Sequence, residues 1–477
     1  MFKFTLAELA QVTGGELRAA QPETTVEGFF VDSREPIKQG VFVAIEGERT
    51  NGHNFLKEVL NSGAGLAIVR DSFEGSIPDA LPTLTVPDTV AALGQIAHWT
   101  RVTKLKAQVI AVTGSSGKTT TKDFIAGILA RCGTTHGAHG SFNTEVGLPL
   151  TLLSADESTE FLVLEMGMRG LGHIESLARI AVPDIGVVTN VGSAHLELLK
   201  TQENIARAKG ELIRSLSAKS WAVLNADDAY VREMAHDTQA HVASFGESSA
   251  AQFQATQITV SPDALSTYTL KHENRAYTVS LQIPGEHQVH NSLAAIAAAH
   301  CAGIDVDRAV ELIEQITKIS KWRMEVTTSD SGITVINDSY NANPESMRAA
   351  LKTLVSMSKG VRSVAVLGPM KELGDHSMEE HDALGRLAVR LDISLLLCIG
   401  DQMKITHLGA SQEGSWGDEA HWVPDIESAL VFLEEYLQPG DVILVKASRS
   451  VGLDRVAEAL VSGDVKVMTR NNSEEPL

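Results

Sequence analysis

An α/β fold in three domains is predicted by three observations. The first is Ala107 to Asp123, AQVIAVTGSSGKTTTKD, which reads as a strand, a glycine loop and a helix. The second is the recurrence of short β-branched runs separated by helix-length stretches, the pattern of parallel sheets covered by helices. The third is that this alternation restarts twice along the 477 residues, which divides them into 1–103, 104–321 and 322–477. A chain of this length is expected to hold several domains of ~100–200 residues.

In the central part, Val109, Ile110 and Val112 supply a short buried strand. Gly114, Ser115, Ser116, Gly117, Lys118 and Thr119 then spell G-x-x-G-K-T, followed by Thr120 and Thr121. Glycines let backbone N–H groups crowd around phosphate oxygens with no Cβ in the way. Lys118 adds a point charge for β/γ-phosphates, and a hydroxyl from Thr119 or Thr120 can bind Mg²⁺. A helix from Lys118 to about Arg131 points its positive end at the same anion. This part is therefore expected to be a P-loop-type mononucleotide-binding sheet. Its further strands are Phe161–Glu165, Asp184–Asn190 and Trp221–Asn225, with a hairpin over Ser266–Ile283 that turns near Glu273-Asn274. An Ala-rich helix lies within 284–303 and stops at Gly303, a residue suited to a helix C-terminus.

The first part opens with a helix over Thr5–Val12, where Thr5 and Glu8 have the spacing of a capping box. A strand, Val41–Ile45, is flanked by Asp32-Ser33-Arg34 and by Gly47 and Asn51-Gly52-His53. These flanks either line one end of a sheet or form surface turns. The third part has strands Thr334–Asn337, Ser363–Leu367, Leu395–Gly400 and Val442–Val445, with helices such as Pro344–Ser356 and Asp425–Leu437 between them. It predicts a Rossmann-like parallel sheet. No G-x-G-x-x-G follows any of its strands, so it is not read as a dinucleotide site.

Composition narrows the function. Hydrophobic content of 43% and charged content of 21% are those of a soluble globular protein. No apolar run reaches the ~18 residues of a membrane span. The start, MFKFTLAELAQVTGGEL, is too acidic and too broken for a secretory leader. Cys132, Cys301 and Cys398 are odd in number and far apart, which favours a reducing cytoplasm. A formal net charge of −20 argues against nonspecific nucleic-acid binding. Anionic substrates must then be met by local cations and Mg²⁺.

Several residues can carry chemistry. Glu165 ends a strand at the side where ligands sit in open α/β sheets, and with a threonine hydroxyl and phosphate oxygens it gives Mg²⁺ a hard oxygen shell. His195, just past Asp184–Asn190, reads either as a capping residue or as part of that site. Lys209 in NIARAKGEL is either a solvated helix lysine or a lysine carboxylated by CO₂ and turned toward the metal. Asp338 follows a strand, and Asn341 and Asn343 lie just before Pro344, which can open a helix. Arg323, near the boundary of the second and third parts, either forms a surface salt bridge or closes onto a transferring phosphoryl group. Lys446 to Arg449, KASR, follows VILV and can meet an anionic substrate group.

Taken together, these segments resemble the Mur ligases, the ATP-dependent amide-forming enzymes of peptidoglycan synthesis. The resemblance runs through DSR, FVAIEG and GH, then TGSSGKTTTK, EMGMRG, TNVGSAHLE and ENIARAKGEL, and ends with DSYNANPESM, ELGD and VKASRS. DSYNANP, EMGMRGLGHIE and AHLELL are most similar to the branch that joins D-alanyl-D-alanine to a UDP-N-acetylmuramoyl-tripeptide. The D-N-P-R motif of the diaminopimelate-adding branch is absent. Folylpolyglutamate synthase shares the central machinery but not the DSR/GH segment or DSYNANP. No N-K-x-D occurs, which argues against a GTPase switch.

The resemblance implies ATP, two Mg²⁺ ions and carbamylation of Lys209, in a cytoplasmic monomer. It implies that Lys118 meets ATP, that Glu165 and His195 hold metal, that Asn291 contacts adenine, and that Arg323 and Asp338 act at a hinge. Ser33 and Arg34 match the uridine-binding loop. Three positions depart from the family's pattern: Gln288 in place of the first asparagine of H-N-x-x-N, Pro369 in L-G-x-M-x-E-L-G, and Ala447 in place of the glycine of K-G-S-R.

Overall fold

The computed structural model describes residues 1–47, 50–138, 140, 142–194, 196–414 and 419–465. Three larger sheets organise them. A five-stranded sheet has the order Glu16–Arg18, Thr83–Val86, Leu66–Arg70, Val41–Val43, Phe29–Phe30, parallel except for the first pair. The middle sheet has nine strands. From its centre at Gln108–Thr113, Phe161–Glu165 and then Thr135–Gly137 lie on one side, and Ile185–Val188, Trp221–Asn225 and His241–Gly246 on the other, all parallel. Phe253–Val260 joins His241–Gly246 in parallel, and the hairpin Ser266–His272/Arg275–Ser280 adds two antiparallel strands at that edge. The third sheet has the order Glu325–Thr328, Thr334–Asn337, Val442–Lys446, Ser363–Leu367, Leu395–Ile399, Ala420–Val423.

That third sheet departs from the expected all-parallel arrangement at one edge. Glu325–Thr328 runs antiparallel to Thr334–Asn337, while every other pair is parallel. The two strands are close in sequence, and a short connection can only reverse the chain; a parallel neighbour needs a crossover.

Period-two alternation explains how the central strand serves two cores. Val109 and Ala111 pack with Leu148, Leu152 and Ile96 on one face, while Ile110 and Val112 pack with Phe124, Ile128 and Leu293 on the other. The first of these cores also contains Phe4, Leu66, Ile68 and Leu84. It therefore passes without interruption across residue 103, through helix Thr89–Thr103. On the opposite face, helix Gln288–Cys301 buries Ala294, Ala295, Ala297, Ala298 and Ala299 completely. Alanine combines high helix propensity with a small side chain, so this helix can lie close against helix Lys118–Leu129 and against the sheet.

Local signals stop and start the helices as the sequence predicts. Thr5 and Glu8 form a reciprocal capping box at helix Leu6–Thr13. Asn343 does the same with Ser346 at helix Pro344–Met357. None of the helices among the described residues is long and apolar enough to cross a membrane.

Candidate active site

The glycine loop follows Gln108–Thr113 directly and closes onto helix Lys118–Leu129. Two of its positions demand glycine. Gly117 has φ +77°, and a Cβ there would lie 2.3 Å from Asn291 Oδ1. A Cβ on Gly114 would lie 1.8 Å from Thr189 Oγ1. The loop is braced by the end of the neighbouring strand. Ser116 N–H donates to Asn190 Oδ1 at 2.9 Å, Thr189 Oγ1 donates to Ser116 O at 2.6 Å, and Ser115 N–H donates to Asn190 O at 3.0 Å. The segment Thr189-Asn190 thus shapes the loop, a role that sequence reasoning gave to neither residue.

A cavity of about 1010 Å³ opens in front of this loop. Ser115, Ser116, Gly117, Lys118, Thr119, Thr120, Glu165 and Asn291 line it on one side, and Arg323, Asp338, Asn341, Asn343, Lys446 and Arg449 line it on the other. Fourteen of the expected site residues therefore share one cleft, although they are spread over more than 300 positions of chain. Gly114 sits at the loop's base, and its carbonyl accepts from Lys118 Nζ at 2.9 Å. Desolvation pushes the Lys118 ammonium below its ordinary range, Glu165 pulls it back, and Arg323 adds to the depression. Thr119 Oγ1 donates to Glu165 Oε2 at 2.7 Å, and Asn143 Nδ2 donates to Glu165 Oε1 at 2.8 Å. Thr120 is buried at the cleft wall. His195 lies outside the described residues.

Lys209 is not a solvated helix lysine. It is 1% exposed, and Nζ rests 3.9 Å from Met168 Sδ. Desolvation, helped by the charge of Lys118, drives its pKa well below that of an ordinary lysine. Its neighbour Glu211 is structural: Oε1 accepts from Gly172 N–H at 2.7 Å and Oε2 from Glu175 N–H at 3.0 Å, which caps helix His173–Ala181. Asn291 Nδ2 donates to Gln288 Oε1 at 2.8 Å, and Thr121 Oγ1 donates to Asn291 Oδ1 at 3.3 Å. Gln288, the first departure from the family's pattern, therefore orients Asn291 beneath the glycine loop.

Arg323 makes no surface salt bridge among the described residues. Its guanidinium stacks over Tyr340 at 4.2 Å, and its Nε is buried without a hydrogen-bond partner. Trp322 and Met324 on either side have φ of +61° and +49°, a left-handed conformation that costs a residue with a Cβ roughly 1–2 kcal/mol. Asp338 holds this turn: Oδ1 accepts from Met324 N–H at 3.1 Å. Its other oxygen pairs with Lys446.

Two expected substrate contacts, Lys446 and Asn343, line the cleft and also hold partners within the protein. Lys446 Nζ donates to the carboxylate of Asp338 and, at 2.9 Å, to Asn341 O. It is buried, and desolvation lowers its pKa, so it braces the Asp338–Asn341 loop from inside. Asn343 spends its side chain on the helix cap and on Ser115 O, 3.3 Å away. Asn341 and Arg449 remain exposed at the cleft, Arg449 stacked over Trp322 at 4.1 Å and paired with Asp454 at 2.9 Å. Ser33 and Arg34 lie outside the cleft lining; Arg34 is 87% exposed and forms a bidentate pair with Asp32. Asn51-Gly52-His53 packs against one end of the first sheet, at the last residue of strand Leu66–Arg70. His53 is buried, with Nδ1 2.8 Å from Asn51 Oδ1 and Nε2 accepting from Arg70 N–H at 2.9 Å.

The other two departures are packing solutions. A Cβ on Gly368 would come within 2.8 Å of Ala447 Cβ, so the methyl at 447 is accommodated because residue 368 has none. Pro369 O accepts from Ser448 N–H at 3.1 Å, which ties the 369 loop to the strand end carrying Arg449.

Comparison with known proteins fits this site. Residues 112–299 match the Mur ligase middle domain, and residues 322–449 match the Mur ligase, glutamate ligase domain. The UDP-N-acetylmuramoyl-tripeptide–D-alanyl-D-alanine ligase of Mycobacterium tuberculosis is 38% identical, over 97% of this chain and 99% of that protein. The ligase of the same name from Bacillus subtilis is 34% identical over the same shares. Among solved structures, MurF from Acinetobacter baumannii superposes with a TM-score of 0.87 at 30% identity, covering 97% of this chain and 99% of that one. MurF from Thermotoga maritima in complex with ADP gives 0.79 at 29% identity, covering 92% and 97%. With both domain models matched in order and full-length relatives well above 30% identity, the chain belongs to the Mur ligase family.

Proposed function

We propose that this ligase uses ATP to join D-alanyl-D-alanine to a UDP-N-acetylmuramoyl-tripeptide, as a monomer in the cytoplasm, with domains over 1–103, 104–321 and 322–477. The observation that carries the reading is the pairing, across one cleft, of Lys118 on the glycine loop with Arg323, whose Nε is buried and unpartnered. A buried guanidinium nitrogen left unpaired costs about 1–3 kcal/mol or more, and a phosphoryl oxygen satisfies it.

In this reading the γ-phosphoryl of ATP passes to the terminal carboxylate of the tripeptide. The amine of D-alanyl-D-alanine then attacks the acyl phosphate, and a tetrahedral intermediate collapses to an amide and phosphate. Activation is required because a free carboxylate repels nucleophiles and offers only oxide as a leaving group. Lys118 and Arg323 stabilise charge on the transferring group, by positioning and electrostatics. Asn291 sets the glycine loop and meets adenine. Arg449 and Asn341 meet the acceptor, and Ser33 and Arg34 meet the uridine end.

The donor set fits Mg²⁺: Thr119 Oγ1 and Glu165 Oε2 are buried hard oxygens 2.7 Å apart. Thr120 and His195 would join them. Bound there, two Mg²⁺ ions would offset phosphate and carboxylate charge. Lys209 is suited to carbamylation, because desolvation favours its neutral amine and the neutral amine is the form that adds to CO₂, losing one proton as the carbamate forms. That change replaces a neutral amine with an anion at a buried position that feels the charge of Lys118.

The experiment is phosphate release from ATP across UDP-muramoyl peptides and amine acceptors. D-alanyl-D-alanine with the tripeptide should far exceed lysine, diaminopimelate or glutamate, since no arginine lies between Asp338 and Ser346 to pair an extra carboxylate. Release with lysine or diaminopimelate but not with D-alanyl-D-alanine would overturn the acceptor assignment.

A further inference from the structure

The run that begins at Lys118 continues to Lys122-Asp123, and these two residues form an ion pair in which Lys122 is buried and the Asp123 side chain is 15% exposed. Lys122 is 2% exposed, and its Nζ lies 2.9 Å from Asp123 Oδ1. Neither residue lines the cleft. A buried ion pair of this kind gains little net stability, because desolvation cancels most of the attraction, so stability alone does not account for it.

Its remaining contacts point outward in two directions. Lys122 Nζ also donates to Ala138 O at 2.9 Å and to Gly140 O at 3.0 Å. Ala138 and Gly140 stand shortly before Asn143 in the chain; Asn143 Nδ2 donates to Glu165 Oε1, and its carbonyl accepts from Gly167 N–H at 2.9 Å. Asn143 is seated closely, since a Cβ on Gly167 would lie 2.9 Å from its amide carbon. Asp123 uses its other oxygen on the far side: Oδ2 accepts from Ser320 N–H at 2.8 Å. Ser320 stands three residues before Arg323, on the segment that enters the strained Trp322–Met324 turn.

We propose that Lys122 and Asp123 are a positioning pair for the two halves of the phosphoryl-transfer site. Lys122 holds the carbonyls of Ala138 and Gly140, just ahead of the Asn143 that contacts Glu165. Asp123 fixes the segment that presents Arg323 to the cleft. The helix that starts at the glycine loop therefore sets the metal-side carboxylate and the opposing arginine from one buried point, one turn beyond Lys118. The inference rests on the ATP-dependent ligase reading for what Glu165 and Arg323 do.

The test compares Lys122→Met, Asn143→Ala and Asp123→Ala with the unaltered protein, by calorimetric ADP binding with and without Mg²⁺ and by turnover. Lys122→Met and Asn143→Ala should share one signature: ADP affinity falls ~10–100-fold in the presence of Mg²⁺, as for loss of a group that orients a metal ligand, and is unchanged in its absence. Lys122→Arg should restore part of it. Asp123→Ala should keep Mg²⁺-dependent ADP affinity and lose kcat on the order of 10²-fold, the cost of a displaced catalytic group. If Lys122→Met and Asp123→Ala lower only the melting temperature, with affinity and kcat per folded molecule unchanged, the pair is merely structural and the proposal fails. Should Lys122→Met not fold, unchanged Mg²⁺-dependent affinity in Asn143→Ala overturns the Lys122 half. Failure of the unaltered protein to bind ADP would instead strike the ligase reading itself.

Discussion

Lys209 can be tested through stability before any activity is measured. Lys209→Met keeps the length of the side chain and removes the amine. In the folded protein that amine is 1% exposed with a thioether as its neighbour, and desolvation, then the charge of Lys118, hold its pKa well below 10.5. The unfolded chain therefore binds a proton that the folded chain does not, throughout the window from the depressed folded value up to 10.5. The sign follows directly. Stability rises with pH wherever the unfolded state holds more protons, by about 1.4 kcal/mol per pH unit for one full proton. Stability linked to Lys209 is fully present above 10.5 and is lost as pH falls toward the folded value.

Lys209→Met removes that slope. In CO₂-free buffer, urea unfolding at a series of pH values below 10.5 should give a variant whose stability rises less steeply than that of the unaltered protein, by about 1.4 kcal/mol per unit down to the depressed folded value. At the low end of the series the variant should be the more stable of the two. Bicarbonate added on top of Mg²⁺ and ADP should further stabilise only the chain that retains the amine, since a modification confined to the folded state shifts its unfolding equilibrium. Parallel pH dependences for the two proteins, or a variant destabilised in CO₂-free buffer, would refute the reasoning, because the amine would then be charged or already well partnered.

Two further outcomes follow from the same structure. Burial pushes His287 down to about 4, and its Nδ1 is unpartnered; stability tied to it is complete above 6.5 and lost as pH falls toward 4, by about 3 kcal/mol in all, so His287→Gln should flatten the acid side of a melting-temperature profile between those values. Glu345 Oε1 accepts from Ser193 N–H and Oγ, each at 2.9 Å, across the second and third sheets; Glu345→Ala should lower kcat roughly ten- to a hundredfold while ADP affinity stays, and small-angle scattering should show less compaction with nucleotide and substrates, whereas unchanged turnover and compaction would remove Glu345 from closure.

What the sequence disclosed was what its chemistry keeps local. The glycine loop is legible because strand, turn residues and helix N-terminus are consecutive, and Phe161–Glu165, Trp221–Asn225 and Thr334–Asn337 begin and end where their apolar runs do. Strands with little apolar pattern of their own escaped notice. Phe253–Val260 is half exposed and carries Gln and Thr, and Thr135–Gly137 has three residues; both are strands because of the neighbour they meet, which no local pattern states. The same limit hid the partners that site residues hold at long range. Asn343 donates to Ser115 O, 228 positions away. Lys446 pairs with Asp338, 108 positions away.

Such internal pairings bear on how a chain of net charge −20 handles substrates that are themselves anionic. A long-range field would repel them, so attraction has to arise within the cleft, where low dielectric makes each cation count for more. Of the cations lining it, Lys446 is neutralised by Asp338, Arg449 is paired with Asp454, Lys371 donates to Gln402 at 2.7 Å, and Arg169 is exposed. Lys118 and Arg323 are different. Lys118 spends its donors on loop carbonyls and is held below its usual pKa by desolvation, while Arg323 keeps a buried nitrogen unpaired. Each is a cation kept in an unfavourable setting, and Arg323 contributes to the lowering at Lys118. Bringing a phosphate between them relieves both costs together. The repulsive surface then acts as a filter rather than a handicap: an anion gains entry only where its oxygens reach Lys118 and Arg323 at once, which is the geometry of a phosphoryl group in transfer.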